Sequence, residues 1–200
     1  MSTPVSYFEQ MYAADPDPWS FESRWYDARK HALTVAALTR RRYRSGFEPG
    51  CSTGMLTARL AERCDALLAV DAVPAAARTA AERVAAHAHV TVGTAQLPQQ
   101  WPEGTFDLVV LSEVGYYFDD TDLRTLIERA AGALEPGGEL VAVHWRWPVT
   151  EHARSGDDVH AALAAAPGLE RVARHEEADF ILEVFTPAPA RSVAQREGLA

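Results

Sequence analysis

The sequence predicts an α/β domain in which helices cover both faces of a mostly parallel sheet. From residue 43 onward, short apolar stretches alternate with segments whose apolar residues recur every three or four positions. The apolar stretches, such as "ALLAVD" and "FDLVVLSE", are nearly continuous, which is typical of strands buried on both faces. Near the end of the chain, "LERVARH" and "FILEVFT" are joined only by "EEAD". That link is too short for a parallel crossover, so these two strands are predicted to form an antiparallel hairpin.

The elements follow in order from this pattern. Residues 1–42 are predicted to form a helical segment that is interrupted at "AADPDPWSF", because Pro16 and Pro18 remove backbone donors. A second helix is expected over about 22–42. Pro74 suits the first turn of a later helix. Strands are predicted at 43–48, 66–71, 89–93, 106–113, 139–145, 169–175 and 180–186, and helices at 54–64, 74–88, 122–134 and 157–166. Residues 43–186 thus form the main domain, and 187–200 are predicted to be a loose tail.

The composition is that of a globular protein and argues against several classes of partner. The 200 residues include 48% hydrophobic residues and carry a net charge of −9, whereas nucleic-acid binders usually show a basic face. The longest basic run, Arg40 to Arg42, ends a helical pattern and is interpreted as solvated charge. Cys51 and Cys64 form no CxxC pair, which favours a reducing compartment and no structural zinc. With no signal segment and no membrane-length apolar run, we expect a cytoplasmic protein with no membrane partner. The oligomeric state is not predicted.

A glycine-containing loop is the strongest functional signal. Gly50 and Gly54, in "FEPGCSTGML", lie between the first strand of the sheet and the helix that follows. In a doubly wound sheet this point lies at the carboxyl ends of the strands, where ligands bind. Asp71 ends the next strand, in a position to accept hydrogen bonds from both hydroxyls of a ribose. The loop and the acid together predict a nucleotide-type cofactor.

Two cofactors could use that arrangement. A nicotinamide dinucleotide requires G-x-G-x-x-G, but Ser52 and Met55 stand where its second and third glycines would be. Glu48 would also repel a diphosphate. The same carboxylate suits a ligand that carries an ammonium group and a sulfonium, and S-adenosylmethionine is such a ligand.

The stretches "FEPGCSTG", "LLAVD", "WPEGTFDLVVLSEVGYYF", "LEPGGELVAVHW" and "SGDDVH" together resemble the class I S-adenosylmethionine-dependent methyltransferases. Within that class the chain resembles the nodulation protein S (NodS)-like branch, and "ADPDPWSFESRWYDARKHAL" fits the N-terminal pattern of the branch. The resemblance covers about residues 7–186. It implies a Rossmann-like, seven-stranded sheet of order 3-2-1-4-5-7-6 with strand 7 antiparallel. It also implies methylation of a small-molecule acceptor, such as an amine or amino sugar, with S-adenosylhomocysteine as the product.

The resemblance and the loop together predict the residues that hold the methyl donor. The expected cofactor-binding residues are Trp19, Tyr26, Glu48, Gly50, Cys51, Ser52, Gly54, Asp71, Ala72, Ala95, Gln96, Ser112 and Glu113. The chain departs from the class after the third strand, where Gly93-Thr94-Ala95 replaces the common Gly-Asp-Ala and leaves no acid for the adenine amino group. The N-terminal segment is expected to form a lid over the cofactor, which would expel water and align donor and acceptor. A helix packed on the surface is the alternative.

The acceptor is expected to contact "SEVGYYF", "HWRW" and "SGDDVH", which follow the fourth and fifth strands. Glu113 and His144 are the candidate proton acceptors, since an amine must lose a proton. The candidate substrate-binding residues are Tyr116, Tyr117, Trp145, Asp158 and His160. Plain packing of the aromatic residues and capping of a helix by "SGDDVH" remain alternatives. The histidines at 144, 152 and 160 have no metal-ligand spacing, so no metal is predicted.

Two other functions remain open from the sequence. An O-methyltransferase of a sugar or phenolic hydroxyl would use the same cofactor and would need a stronger base. A noncatalytic module would bind S-adenosylmethionine as a sensor or scaffold and transfer no methyl group.

Overall fold

The computed structural model describes all residues, 1–200, and places seven strands in one sheet. The strands are β1 (Gly46–Pro49), β2 (Leu67–Asp71), β3 (Val90–Thr94), β4 (Phe106–Ser112), β5 (Leu134–Trp145), β6 (Leu169–Glu176) and β7 (Phe180–Pro187). Their order in the sheet is β3-β2-β1-β4-β5-β7-β6. Strands β1 to β5 pair in parallel, whereas β7 runs antiparallel to both β5 and β6. The predicted doubly wound sheet with its antiparallel hairpin is confirmed.

Seven helices accompany the sheet. They are α1 (Val5–Ala14), α2 (Trp25–Ala37), α3 (Met55–Ala61), α4 (Pro74–Arg83), α5 (Asp120–Gly132), α6 (Gly156–Ala164) and α7 (Val193–Arg196). A single 3₁₀ turn, Gly115–Tyr117, follows β4. None of the helices combines the length and the apolar composition that a membrane span requires.

The core lies on both faces of the sheet, which explains the continuous apolar strands. In β4, Val109 and Leu111 belong to one buried cluster, whereas Leu108 and Val110 belong to the cluster on the opposite face. Successive side chains of a strand point to opposite faces, so a strand covered on both sides needs an apolar residue at every position. This packing fixes the carboxyl ends of β1, β2 and β4 side by side, where the loops that follow them can meet.

The helix ends follow the chemistry of their sequences. Asp119 accepts hydrogen bonds from the backbone N–H groups of Thr121 and Asp122 and thereby begins α5. Ser155 and Asp158 form a reciprocal capping box at the start of α6. The second of these caps uses the carboxylate of Asp158, which therefore serves the helix.

Both ends of the chain differ from the sequence-based expectation. Helix α2 spans Trp25–Ala37, which is shorter than the predicted 22–42. The supposedly loose tail contains the four-residue α7, which begins with a capping box between Ser192 and Gln195. Arg196 at its end donates to the backbone carbonyl of Thr39 at 3.3 Å. A helix this short has no apolar period, so a pattern of spacings cannot reveal it.

Candidate active site

A cavity of about 830 Å³ opens at the carboxyl edge of the sheet. The loops after β1, β2 and β4 form its floor, and residues from α1, α2 and the segment between them form its opposite wall. In α1, the Tyr12 hydroxyl lies 2.6 Å from the Ser52 hydroxyl in the glycine loop. The Thr3 amide donates to the Tyr117 carbonyl at 2.8 Å. The N-terminal segment is therefore tied to two of the floor loops.

Gly50 and Gly54 are required by close packing in the loop after β1. Gly50 has a φ of +72°, and a Cβ added to it would lie 2.1 Å from Cγ1 of Val114. Gly54 has a φ of +79°, and its added Cβ would lie 2.9 Å from the Cα of Ala80 in α4. Only glycine adopts this backbone without strain. Gly50 borders the cavity, but Gly54 does not, so Gly54 shapes the loop from behind.

Asp71 holds the glycine loop in place from the end of β2. Its carboxylate accepts hydrogen bonds from the backbone N–H groups of Ser52 and Val73, each at 2.9 Å. Burial raises the pKa of Asp71 above its ordinary value, and the hydrogen bonds from Val73, Ser52 and Ala72 oppose that rise. The carboxylate faces the cavity and fixes the loop at the same time.

Four buried polar atoms in the cavity wall have no partner within the protein. They are Oε2 of Glu48, the hydroxyls of Tyr26 and Thr53, and Nδ1 of His31. Burial raises the pKa of Glu48 to about 8; the nearby Thr57 hydroxyl opposes that rise, and the negative charge of Asp71 adds to it. Unsatisfied buried polar groups are costly and rare. Their position fits a bound molecule with polar groups of its own, and a ligand ammonium would favour the ionised form of Glu48.

Glu113 is locked in an ion pair at the centre of the cavity floor. It has a φ of +59°, an uncommon conformation for a residue with a side chain. Its carboxylate accepts from Lys30 Nζ at 2.7 Å, from the Trp145 amide at 3.0 Å, and from the Tyr116 hydroxyl. Burial raises the pKa of Glu113, but the charges of Lys30 and His144 and the hydrogen bonds from Lys30 and Tyr116 together outweigh burial and lower it to about 2. Glu113 therefore stays ionised at neutral pH and is a poor proton acceptor.

Lys30 is a residue of the site that the sequence did not indicate as a partner of Glu113. Its side chain is 4% exposed, and its ammonium lies 3.2 Å from the Asp27 carboxylate and 4.9 Å from the centre of the Tyr26 ring. Lys30 and Glu113 are 83 positions apart. No local spacing connects two such residues, so only the packing of α2 on the cavity reveals the pair.

His144 lies outside the cavity, which corrects its prediction as a base. The ring is fully buried. Its Nε2 accepts from the Gly115 amide at 3.0 Å, and its Nδ1 lies 3.2 Å from Nε2 of His160. Burial lowers the pKa of His144 to about 3. Because both ring nitrogens are engaged, His144 cannot accept a proton from a molecule in the cavity.

The prediction that Asp158 and His160 bind the substrate is also wrong. Asp158 caps α6, and His160 is buried with its Nδ1 2.8 Å from Glu183. Neither residue borders the cavity. The helix-capping alternative for "SGDDVH" is the one that the structure adopts. His160 instead continues a buried polar chain from Gly115 through His144 to Glu183.

The other predicted residues come together around the cavity. They are Trp19, Tyr26, Cys51, Ser52, Ala72, Ala95, Gln96, Ser112, Tyr116, Tyr117 and Trp145. His152 lies there too, although no role at the site was predicted for it. Its ring stacks on Tyr116 with centroids 3.8 Å apart and planes inclined by 11°. It follows β5 in a loop without any motif.

A family model supports the resemblance noted in the sequence. The model of "Nodulation protein S (NodS)" matches residues 6–165. The nodulation protein S of Rhizobium tropici is 33% identical over 131 residues, or 64% of this chain and 55% of that protein. The matched segment thus spans little more than half the length of this curated relative.

Solved structures are similar over most of their length. The N-methyltransferase NodS from Bradyrhizobium japonicum WM9, in complex with S-adenosyl-L-homocysteine, is 29% identical with a TM-score of 0.81. The match covers 92% of this chain and 97% of that one. A candidate methyltransferase from Pseudomonas syringae is 48% identical with a TM-score of 0.73, covering 82% of this chain and 99% of that chain.

Proposed function

Because the chain belongs to the nodulation protein S family, we propose that it is an S-adenosylmethionine-dependent methyltransferase that methylates the nitrogen of a small amine or amino sugar. When bound, this cofactor supplies a methyl group on a positively charged sulfur. The protein must then bind the donor, hold the acceptor nitrogen in line with the methyl carbon, and exclude water. Alignment and desolvation can lower much of the barrier to such a transfer.

In this proposal the donor lies along the loops after β1 and β2. Asp71 accepts hydrogen bonds from the ribose hydroxyls, and Glu48 receives the ammonium group. Ala72, Ala95 and Gln96 surround the adenine. Trp19 and Tyr26 cover the cofactor from the N-terminal side. The unpartnered Oε2 of Glu48 supports this assignment, since a carboxyl buried without a partner is costly.

The charge of the cavity is the observation that carries the choice of an amine. Six carboxyl side chains border it, against the two cations Arg24 and Lys30. The carboxyl groups are Asp27, Glu48, Asp71, Glu113, Asp122 and Asp179. An acidic, aromatic cavity attracts a cationic or hydroxylated acceptor and repels an anionic one. Tyr116, Tyr117 and Trp145 supply faces on which a sugar or an ammonium group can rest.

The proposal is tested by incubating the protein with methyl-labelled S-adenosylmethionine and a panel of acceptors. The panel contains glucosamine, chitosan oligomers, aliphatic amines, phenols and neutral sugars. Mass spectrometry of the products locates the label on nitrogen or on oxygen. Asp71→Asn serves as the control, because it weakens donor binding without touching the acceptor wall.

We expect label on the nitrogen of an amine or amino sugar and a lower yield with Asp71→Asn. Label on a hydroxyl alone would make the protein an O-methyltransferase. Binding of S-adenosylhomocysteine with no transfer to any acceptor would make it a noncatalytic binding module. Failure to bind the cofactor would refute the proposal entirely.

A further inference from the structure

We propose that His152 accepts the proton of the acceptor nitrogen, a role that rests on the proposed methyl transfer. A group in the cavity that takes this proton speeds the transfer, because an amine delivers it as the new bond forms. The candidates are the titratable side chains that border the cavity. Their hydrogen bonds and surroundings separate them.

The carboxylates of the cavity floor are already committed. Glu113 is held by Lys30 and two further donors. Asp71 accepts two backbone N–H groups. Asp179 at the cavity edge accepts from the indole N–H of Trp147 at 2.8 Å.

In the proposed function Asp71 and Glu48 are occupied by the ribose hydroxyls and the ammonium group of the donor. Asp27 pairs with Lys30, and Asp122 accepts from the Ser2 hydroxyl and from the Gln99 side chain. A carboxylate that is held by a cation or by several hydrogen-bond donors has little tendency to take a proton.

The tyrosines of the wall stay protonated. Burial raises the pKa of Tyr116, and the negative charge of Glu113 raises it further. The same two causes raise the pKa of Tyr117. A phenol with a raised pKa can donate a hydrogen bond but cannot act as a base at neutral pH. The imidazoles of His31 and His152 are therefore the remaining candidates.

His152 combines a fixed ring with free nitrogens. Its stack on Tyr116 and its edge-on contact with Tyr117, at 4.9 Å, hold the ring plane. Its backbone amide donates to the Val149 carbonyl at 3.1 Å, which anchors the loop. No hydrogen bond within the protein engages either ring nitrogen, and the half-buried ring borders the cavity. The nitrogens are thus available to a bound molecule.

Burial favours the neutral form of His152. Burial lowers its pKa from the ordinary 6.5, whereas the charges of Glu113 and Glu151 oppose that effect. The other polar groups that face it are the hydroxyls of Tyr116 and Tyr117 and the buried ring of His144. A neutral imidazole is the form that can accept a proton.

His31 is in a different part of the cavity. Its ring lies 6.3 Å from the Phe21 ring, on the N-terminal wall. Burial and the positive charges of Lys30 and Arg59 lower its pKa to about 4. These cations oppose a positive charge on His31, so it is a worse proton acceptor than His152. His152 instead stacks on Tyr116, whose hydroxyl donates to Glu113.

With His152 as the proton acceptor, each electron pair and the proton of the methyl transfer have a destination. The lone pair of the acceptor nitrogen forms a bond to the methyl carbon as the carbon–sulfur bond breaks, and the pair of that bond stays on sulfur. The N–H proton passes to the free ring nitrogen of His152. The resulting imidazolium returns the proton to water at the open side of the cavity. No oxidant or metal takes part.

The test compares His152→Phe with the wild-type protein in single-turnover methyl transfer at saturating donor, across pH 5 to 9, with the best amine from the acceptor panel. Phenylalanine keeps the stack on Tyr116 but cannot take a proton. We expect a rate about a hundredfold lower at neutral pH, the usual share of acid–base help. The ratio of the two rates should shrink towards one at low pH, where the wild-type imidazole is already protonated. Taking the ratio cancels the titration of the acceptor itself.

Two further variants keep the result interpretable. Free imidazole in the buffer should restore part of the rate of His152→Ala, which leaves a gap beside Tyr116, but not of His152→Phe, which fills it. His87→Gln, far from the cavity, controls for general loss of a histidine. Binding of S-adenosylhomocysteine should be unchanged in all three variants.

A wild-type rate in His152→Phe would overturn the assignment of His152 and leave the methyl transfer intact. A ratio of the two rates that does not change with pH would mean that His152 only stacks on Tyr116, and it would also overturn the assignment. The assignment would likewise fail if the pH dependence of the rate were lost in His31→Asn but kept in His152→Phe. If the wild-type protein transfers no methyl group to any amine, the proposed function fails, and the role of His152 fails with it.

Discussion

The two ends of the cavity are built in different ways. The donor end consists of the loops after β1 and β2, residues 48–54 and 71–72. This end is shaped by backbone N–H groups and glycines. Asp71 accepts a hydrogen bond from the Ser52 amide, and the missing side chain of Gly50 lets Val114 pack against the loop. The acceptor end consists of the loops after β4 and β5, residues 113–118 and 145–152. There, Glu113 meets Lys30 from α2 across 83 positions of sequence.

This difference explains why one end was predictable. The donor end requires glycines with positive φ and an acid at a strand end. Both features occur in short stretches of sequence, so the residues themselves predict the donor end. At the acceptor end, distant side chains compete for the same partners. That competition decides which carboxylate or imidazole is left without a hydrogen-bond partner. Neighbouring residues in the sequence do not predict its outcome.

The largest effect is expected from breaking the ion pair at the acceptor end. Lys30→Met leaves the Glu113 carboxylate in the cavity floor without its cation. Removing one partner of a buried pair should lower the free energy of unfolding by about 3 kcal/mol. Chemical denaturation measures this change. Adding Glu113→Gln to the same chain should recover part of the loss; strictly additive effects would mean that the two residues do not interact.

A smaller effect is expected from distorting the donor end. Gly50→Ala places a methyl group against Val114 in a backbone that disfavours side chains. We expect unfolding to become easier by about 2 kcal/mol, the sum of left-handed strain and overpacking. Gly168→Ala is the matched control, because Gly168 also has a positive φ, +79°, but nothing lies within 4 Å of its added Cβ. Equal stability of the two alanine variants in thermal unfolding would refute the packing argument.

The ionisation of Glu48 makes the stability of the protein depend on pH, and this effect tests the donor end alone. Its folded pKa, about 8, lies above the ordinary 4.5, so the folded state retains a proton that the unfolded state has lost. The stability from this group is complete below about pH 4.5 and is lost as pH rises towards 8. Glu48→Gln mimics the protonated carboxyl. It should match the wild-type protein at pH 5 and exceed its stability at pH 8.

Cofactor binding should make the folded protein favour the ionised form of Glu48. A ligand ammonium favours the ionised carboxylate, so binding near pH 7 should release a proton from Glu48. Calorimetry in buffers with different ionisation enthalpies detects the release. Glu48→Gln should bind more weakly and release less. Identical buffer dependence in the two proteins would show that Glu48 does not meet the ammonium group.

The residue pattern predicted the parallel sheet, the hairpin and the loop that contains Gly50, because strands buried on both faces and a short connection leave few arrangements. The order of the strands followed only from the resemblance to the class I methyltransferases. The residue pattern failed at His144, since strand periodicity cannot tell whether a side chain at a strand end faces the cavity or the packed helix α6. It also missed the ion pair of Lys30, whose partner comes from another layer of the fold.

The short α7 was missed for a different reason. Its stability comes from the capping box of Ser192 and Gln195 and from the contact of Arg196 with Thr39. Neither interaction leaves an apolar repeat. His152 was passed over because a loop histidine has no periodic context, and its stacking partner Tyr116 lies 36 positions earlier in the chain.

The most direct test of the account is calorimetric titration of S-adenosylhomocysteine into the wild-type protein, Asp71→Asn and His152→Phe. The wild-type protein should bind. Asp71→Asn should bind about tenfold more weakly or worse, because a charge-assisted hydrogen bond of about 1–3 kcal/mol is lost. His152→Phe should bind like the wild-type protein. Absence of binding to the wild-type protein, or an equal loss in both variants, would contradict the division of the cavity into a donor end and an acceptor end.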